Sequence, residues 1–274
     1  MSKKIIIITA IIFITAETFA QEIFLKNNFA DSLSVAQSKK LIVLTKNILL
    51  DCGHKETLEN QQHLKNCGAA KRIYNFAAYM LKKDIPEKEI IEEIKLRNKT
   101  FFDTVVYKIT PSSIRVSGDV NSPVEITAFI GSNCPSCKRT LIPLRELAGT
   151  ALKGKIKISM KPLYRQLGDI ALIAAEKQNK AWELFRTYGN SNSDINADNI
   201  NSFFDEARID KYKIYEDMRD TNWIFSILDQ NYAESVKCKM SFTPHLLFNG
   251  IIYESDINPR WIIDFIEWLL TKSE

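Results

Sequence analysis

Residues 124–139 read VEITAFIGSNCPSCKR: an apolar stretch, a short polar break, then two cysteines three positions apart. VEITAFI is mostly β-branched or aromatic and reads as a strand, and the residues after Cys134 read as a helix to about Thr150. A cysteine at a helix N-terminus faces unpaired backbone N–H groups and the positive end of the helix dipole, which stabilise its thiolate. Cys134 is then the attacking thiol, and Cys137, one turn inside the helix, the thiol that resolves a mixed disulfide. A zinc clamp needs further ligands, and no second C-x-x-C or nearby histidine follows the pair. An inert disulfide is the remaining plain alternative.

Working outward, KIKISMK at 155–161 alternates as a second strand, so strand, helix and strand form a unit with a partly parallel sheet. Residues 169–237 are helical, DIALIAAEKQNKAWELF being the clearest amphipathic piece and NSNSDINADN a polar connection. HLLFNGIIYE carries a hairpin signature at Asn249 and Gly250, and an apolar helix from about Pro259 to Thr271 closes the chain. Upstream, residues 21–110 give helical signals with little strand character, including Leu64, Cys67, Ile73, Ala77 and Met80 on one stripe between Leu58 and Leu81. Pro86 opens a further helix with Glu87 and Glu89 in its first turn. The punctuated stretch ITPSSIRVSGDVNSPVEI marks a domain boundary near Thr110.

SPVEITAFIGSNCPSCKR, KAWELF and FTPHLLFNG, in that order, resemble the DsbA-like thiol:disulfide oxidoreductases of the thioredoxin superfamily over about residues 113–272. The resemblance implies an α/β thioredoxin fold at 111–274 with a helical insert at about 166–237; the helical signals ahead of it read as an additional small all-α domain at 21–110. The resemblance implies a cis Pro244 facing Cys134, with Thr243 offering backbone hydrogen bonds to an extended substrate segment. It further implies cysteine-bearing protein substrates, a membrane redox partner that resets the pair, and no cofactor. Two departures bear on mechanism. The carboxylate the family often keeps six positions before the nucleophile is here Ala128, with Glu125 only a weak substitute. Between the cysteines stand Pro135 and Ser136, without the histidine of the strongest oxidases, so a milder oxidant is expected. Lys138 and Arg139 add positive charge nearby and read as solvated helix residues.

Cys52 and Cys67, fifteen positions apart, read as a disulfide pinning a loop to the helical stripe, a closure that would stabilise by about 3 kcal/mol. The sharper alternative is a metal-binding or chaperone module using Cys52, His54, His63 and Cys67. Cys238 reads as a small core residue.

The 274 residues suffice for two domains, and a net charge of +4 does not point to nucleic acid. MSKKIIIITAIIFITAETFA has a basic start, a short apolar run and small residues ending at Ala20, the pattern of a secretory signal peptide at 1–20. Export to an oxidising compartment such as the bacterial periplasm permits disulfides, and an odd count of five cysteines leaves one over. An uncleaved leader would anchor the protein instead. Redox spacing alone does not separate oxidase from isomerase; an isomerase would be served by homo-oligomerisation through the N-terminal domain.

Overall fold

The computed structural model describes residues 28–51, 55–60, 67–112, 114–191 and 193–272. The proposed signal peptide, Cys52, His54, His63 and Leu64 lie outside the described residues. Packing divides the chain into two units, Met1–Lys95 and Leu96–Glu274.

In the first unit, a 3-10 turn at Phe29–Ser32 leads to α1, Val35–Thr45. Ser34 and Gln37 form a reciprocal capping box there: the Gln37 N–H donates to Ser34 Oγ (3.2 Å) and the Ser34 N–H to Gln37 Oε1 (3.1 Å). Strands β1, Leu49–Asp51, and β2, Lys55–Thr57, then pair antiparallel. This hairpin departs from the all-helical expectation, because strands of three residues are too short to show an alternating pattern. Leu58 is wholly buried, but as an extension of the hairpin, its N–H donating to Ile48 O at 2.9 Å. Helix α2 therefore begins later than the stripe predicted, at Gly68–Lys82, with Cys67 as its N-cap. Of the expected stripe Ile73 and Ala77 are fully covered and Met80 is buried, while Cys67 is only partly buried; Phe76, outside that stripe, is fully covered too. Helix α3, Glu87–Phe102, follows.

The sequence reading places the boundary near Thr110; packing places it after Lys95 because the end of α3 belongs to the second unit's core. Arg97 is fully buried, ion-paired with Asp264, and its guanidinium lies 5.1 Å from the ring centres of both Phe101 and Trp261. Phe101 packs against Phe265 and Trp268. A Pro- and Gly-rich stretch marks a change of local structure, whereas these contacts reach across more than 150 positions.

The second unit is built on a five-stranded mixed sheet in the order β3-β5-β4-β6-β7. Its strands are β3, Arg115–Ser117; β4, Val124–Ile130; β5, Ile156–Pro162; β6, His245–Phe248; and β7, Ile251–Tyr253. β4 and β5 run parallel, joined through α4, Pro135–Gly149, while β6 is antiparallel to β4 and β7 to β6. Between β5 and β6 comes the insert: α5, Leu167–Glu176; α6, Ala181–Gly189; α7, Ile200–Glu206; α8, Lys211–Arg219; and α9, Thr221–Lys237. Helix α10, Pro259–Lys272, closes the unit. This is the thioredoxin fold with a helical insertion.

The β6–β7 turn has Asn249 and Gly250 both at positive φ, 50° and 82°, as a type I′ turn requires. Asn249 also clasps β4: its Oδ1 accepts from the Glu125 N–H at 2.7 Å and its N–H donates to Glu125 O at 2.8 Å. Cys238 is free and buried in a cluster with Phe129, Leu163, Leu247 and Ile252, where burial pushes its thiol up to about 11.

Candidate active site

β4 ends at Ile130, and the chain turns over Gly131–Cys134, where the Cys134 N–H donates to Gly131 O at 3.1 Å. Gly131 allows this: a methyl group there would meet the Tyr164 ring at 2.8 Å. Cys134 is the N-cap of α4, its backbone extended, and Pro135 occupies the first turn, where a missing N–H costs nothing. The Cys137 N–H donates to Cys134 Sγ at 3.1 Å, the contact through which a helix N-terminus favours a thiolate. Cys134 and Cys137 are joined as a disulfide, with Cα atoms 5.3 Å apart. Cys134 is partly exposed and Cys137 fully buried.

The Thr243–Pro244 peptide is cis and lies against the pair. The Thr243 carbonyl oxygen is 3.4 Å from Cys134 Sγ and accepts from Ser136 Oγ at 3.1 Å, while Ser136 Oγ is also 3.3 Å from Cys134 Sγ. Ser136 therefore touches both the sulfur and the loop facing it. Phe242 is half exposed, and its ring lies 6.1 Å from that of His245 in a T-shaped arrangement. Burial lowers the affinity of His245 for a proton, with Glu254 acting in the opposite sense.

Ala128 is buried between Met160 and Leu246 on the neighbouring strands, an apolar setting with no acid at that position. Glu125 lies at the opposite end of β4 from the cysteines and pairs with Lys157 at 3.1 Å on the surface, so it offers no replacement. Lys138 differs from its solvated reading: it is only 9% exposed, and burial lowers its pKa while Asp194 raises it. Arg139 is exposed as expected.

One buried acid escaped sequence reasoning. Asp169 on α5 contacts Ser132, two residues before Cys134. An aspartate in the first turn of a helix reads as a dipole partner, and a hydrogen bond across 37 positions leaves no local pattern. In the first unit, Cys67 Sγ accepts from the Ala70 N–H at 3.4 Å. Among the described residues no group of three or more His, Cys, Asp or Glu side chains is placed to hold a metal. The alternative set of Cys52, His54, His63 and Cys67 falls mostly outside them.

The family described as Thioredoxin matches residues 111–267, more than half of the chain. The chain belongs to the thioredoxin family. Solved structures similar to this thioredoxin-family protein include α-DsbA2 of Wolbachia pipientis, a thiol-disulfide exchange protein, at 16% identity over 65% of this chain and 94% of that one, TM-score 0.51. Oxidised BdbD of Bacillus subtilis is similar at 18% identity over 61% and 98% of the two chains, TM-score 0.50. The catalytic domain of Proteus mirabilis ScsC is similar at 15% identity over 66% and 98%, TM-score 0.50. At these identities the likeness is one of fold. No curated protein matches the chain.

Proposed function

We propose that this thioredoxin-family protein is an exported thiol:disulfide oxidoreductase acting on cysteine-bearing protein substrates through Cys134 and Cys137. The observation that carries the reading is the pair's setting: Cys134 caps α4 with the Cys137 N–H on its sulfur, and the Thr243 carbonyl stands 3.4 Å away.

In the oxidising direction, a substrate thiolate attacks Cys134 Sγ, the Cys134–Cys137 bond breaks, and the electron pair leaves on Cys137. Cys137 takes a proton, and a second substrate thiolate attacks the substrate sulfur of the mixed disulfide. Oxidised substrate departs, leaving Cys134 as thiolate and the pair reduced by two electrons. Run backwards from the reduced pair, the same steps reduce or reshuffle substrate disulfides. Helix-terminal N–H groups stabilise Cys134 as the leaving thiolate, and Ser136 Oγ is placed to donate to it once the disulfide opens. Proton transfer at buried Cys137 has no neighbouring acid at position 128 and falls to water. With serine in place of a cation between the cysteines, the pair is a milder oxidant than the strongest members of the family.

Export rests on the basic, apolar and small-residue pattern of residues 1–20, and a membrane protein would then reset the pair. No helix among the described residues is long and apolar enough to cross a membrane. Self-association through the first unit is supported by exposed apolar residues on and after α1: Val35 (76% exposed), Val43 (71%) and Leu49 (56%). Light scattering should then give a mass above one chain, and a monomer at every concentration would remove this part of the reading.

The test of the exchange reaction is a trapping experiment. Cys137→Ala, incubated with an oxidised protein substrate, should accumulate a mixed disulfide through Cys134 that mass spectrometry locates. No adduct at Cys134 in a folded variant would overturn the proposal.

A further inference from the structure

The start of α5 abuts the loop that carries the nucleophile. A methyl group on Gly168 would stand 2.6 Å from both Cβ and Oγ of Ser132, so only glycine fits there. The next residue, Asp169, is 0% exposed, and its Oδ2 accepts from both the Ser132 N–H (3.2 Å) and the Ser132 Oγ–H (2.6 Å). Its other oxygen, Oδ1, makes no regular hydrogen bond, although the Tyr164 and Leu163 N–H groups lie close enough to favour the charge. Burial outweighs these donors and pushes the carboxyl up to about 6.

Neighbouring charges do not neutralise it. Tyr188 of α6, whose hydroxyl donates to Gly168 O at 3.4 Å, is the titratable side chain acting with Asp169, and burial keeps that phenol protonated. Among the other elements packed against α5, Lys161 of β5 is paired with Glu234 of α9, and Asp217 of α8 with Lys177. Lys138 of α4 interacts with Asp194. Asp169 is therefore a buried acid held by hydrogen-bond donors, among them the backbone and hydroxyl of Ser132, which stands two residues before Cys134.

We propose that Asp169 is a positioning residue of the redox site that makes disulfide exchange respond to protonation: through Ser132 it fixes the Gly131–Cys134 turn, and its negative charge opposes that of the Cys134 thiolate. This rests on the reading of Cys134 and Cys137 as a redox pair. Asn133 holds the same turn as well, its Oδ1 accepting from the Ile195 N–H at 2.9 Å, so the turn is anchored twice to the insert. When Asp169 is ionised, a like charge disfavours the thiolate, the thiol pKa rises and the disulfide is the more stable form. When it is protonated that opposition is gone and the pair becomes more oxidising. Protonation of Asp169 thus makes the pair more oxidising wherever Cys134 is ionised.

The test uses the full chain, reduced, with Cys134 alkylation by iodoacetamide followed by mass spectrometry from pH 4 to 9. Wild type should show two inflections, one near 6 and one for the thiol itself. Asp169→Asn should lose the lower inflection and lower the thiol pKa by about half to one unit. Ser132→Ala keeps the carboxyl but removes its Oγ–H donor, and should move the lower inflection upward. A folded Asp169→Asn with the wild-type profile, or a wild type with a single inflection, overturns the proposal. If Asp169→Asn does not fold, Ser132→Ala decides, and an unmoved inflection overturns it. Two inflections in a protein that exchanges no disulfides would sink the proposed function and leave this electrostatic coupling standing.

Discussion

Two carboxylates of the helical insert are buried, and they are held in opposite ways. Glu234 on α9 lies 2.8 Å from Lys161 Nζ and accepts from the Thr110 N–H at 2.9 Å. Burial alone would raise its pKa, but the hydrogen bonds from Lys161 and Thr110 outweigh burial and hold it low. Asp169 has amide and hydroxyl donors and no cation, and burial pushes it up to about 6. The difference teaches that the partner decides what a buried acid does. With a lysine it is a permanent strut joining α9 to the sheet; without one its pKa rises, and this one lies against the Gly131–Cys134 turn.

The contrast is broken most forcefully at the strut. Lys161→Ala leaves Glu234 buried and uncompensated, and should lower the unfolding free energy by about 3–5 kcal/mol in urea titrations. Replacing Lys161 and Glu234 together by methionine should recover most of that loss, since an apolar pair of similar volume removes both desolvation costs. A cost near zero for Lys161→Ala would mean the pair is solvated after all.

At Asp169 the sign reverses. Its folded pKa lies above the ordinary value of 3.8, so the folded state binds the proton more tightly. Stability is fully present below about pH 4 and falls as pH rises through about 6. Asp169→Asn should therefore be more stable than wild type at pH 8, by about 1–3 kcal/mol, and no more stable at pH 3.5. Thermal unfolding at the two pH values checks this, and a variant destabilised equally at both would show the carboxylate to be a strut like Glu234.

Ser136 should give a smaller effect. Ser136→Ala removes a hydroxyl 3.3 Å from Cys134 Sγ and should raise that thiol's pKa by about half a unit, read by alkylation rate against pH. The smallest effect is expected at Cys238, whose thiol is buried and pushed up to about 11. Cys238→Ala should leave exchange activity unchanged, and in wild type Cys238 should resist alkylation until the protein unfolds.

What was legible in the sequence was local. VEITAFI, the cysteine pair, the Asn249–Gly250 turn and the helices between β5 and β6 follow from patterns within about ten residues of each other, whereas the Thr243–Pro244 loop facing the pair is read only from the family resemblance. The strand pair at Leu49–Thr57 was not legible, since three-residue strands carry no period. Arg97, Asp169 and Lys138 were misjudged or missed for another reason. A charged residue on a helix is usually solvated, and only partners far along the chain, such as Asp264 and Ser132, make burial tolerable.

That Cys134 and Cys137 exchange disulfides with protein substrates is tested most directly by turnover in both directions: insulin reduction, and oxidation of a reduced, unfolded protein in glutathione buffer. Wild type should accelerate at least one of them, and Cys134→Ser should abolish that acceleration while remaining folded. A folded wild type inert in both directions, or a Cys134→Ser variant as active as wild type, would contradict it.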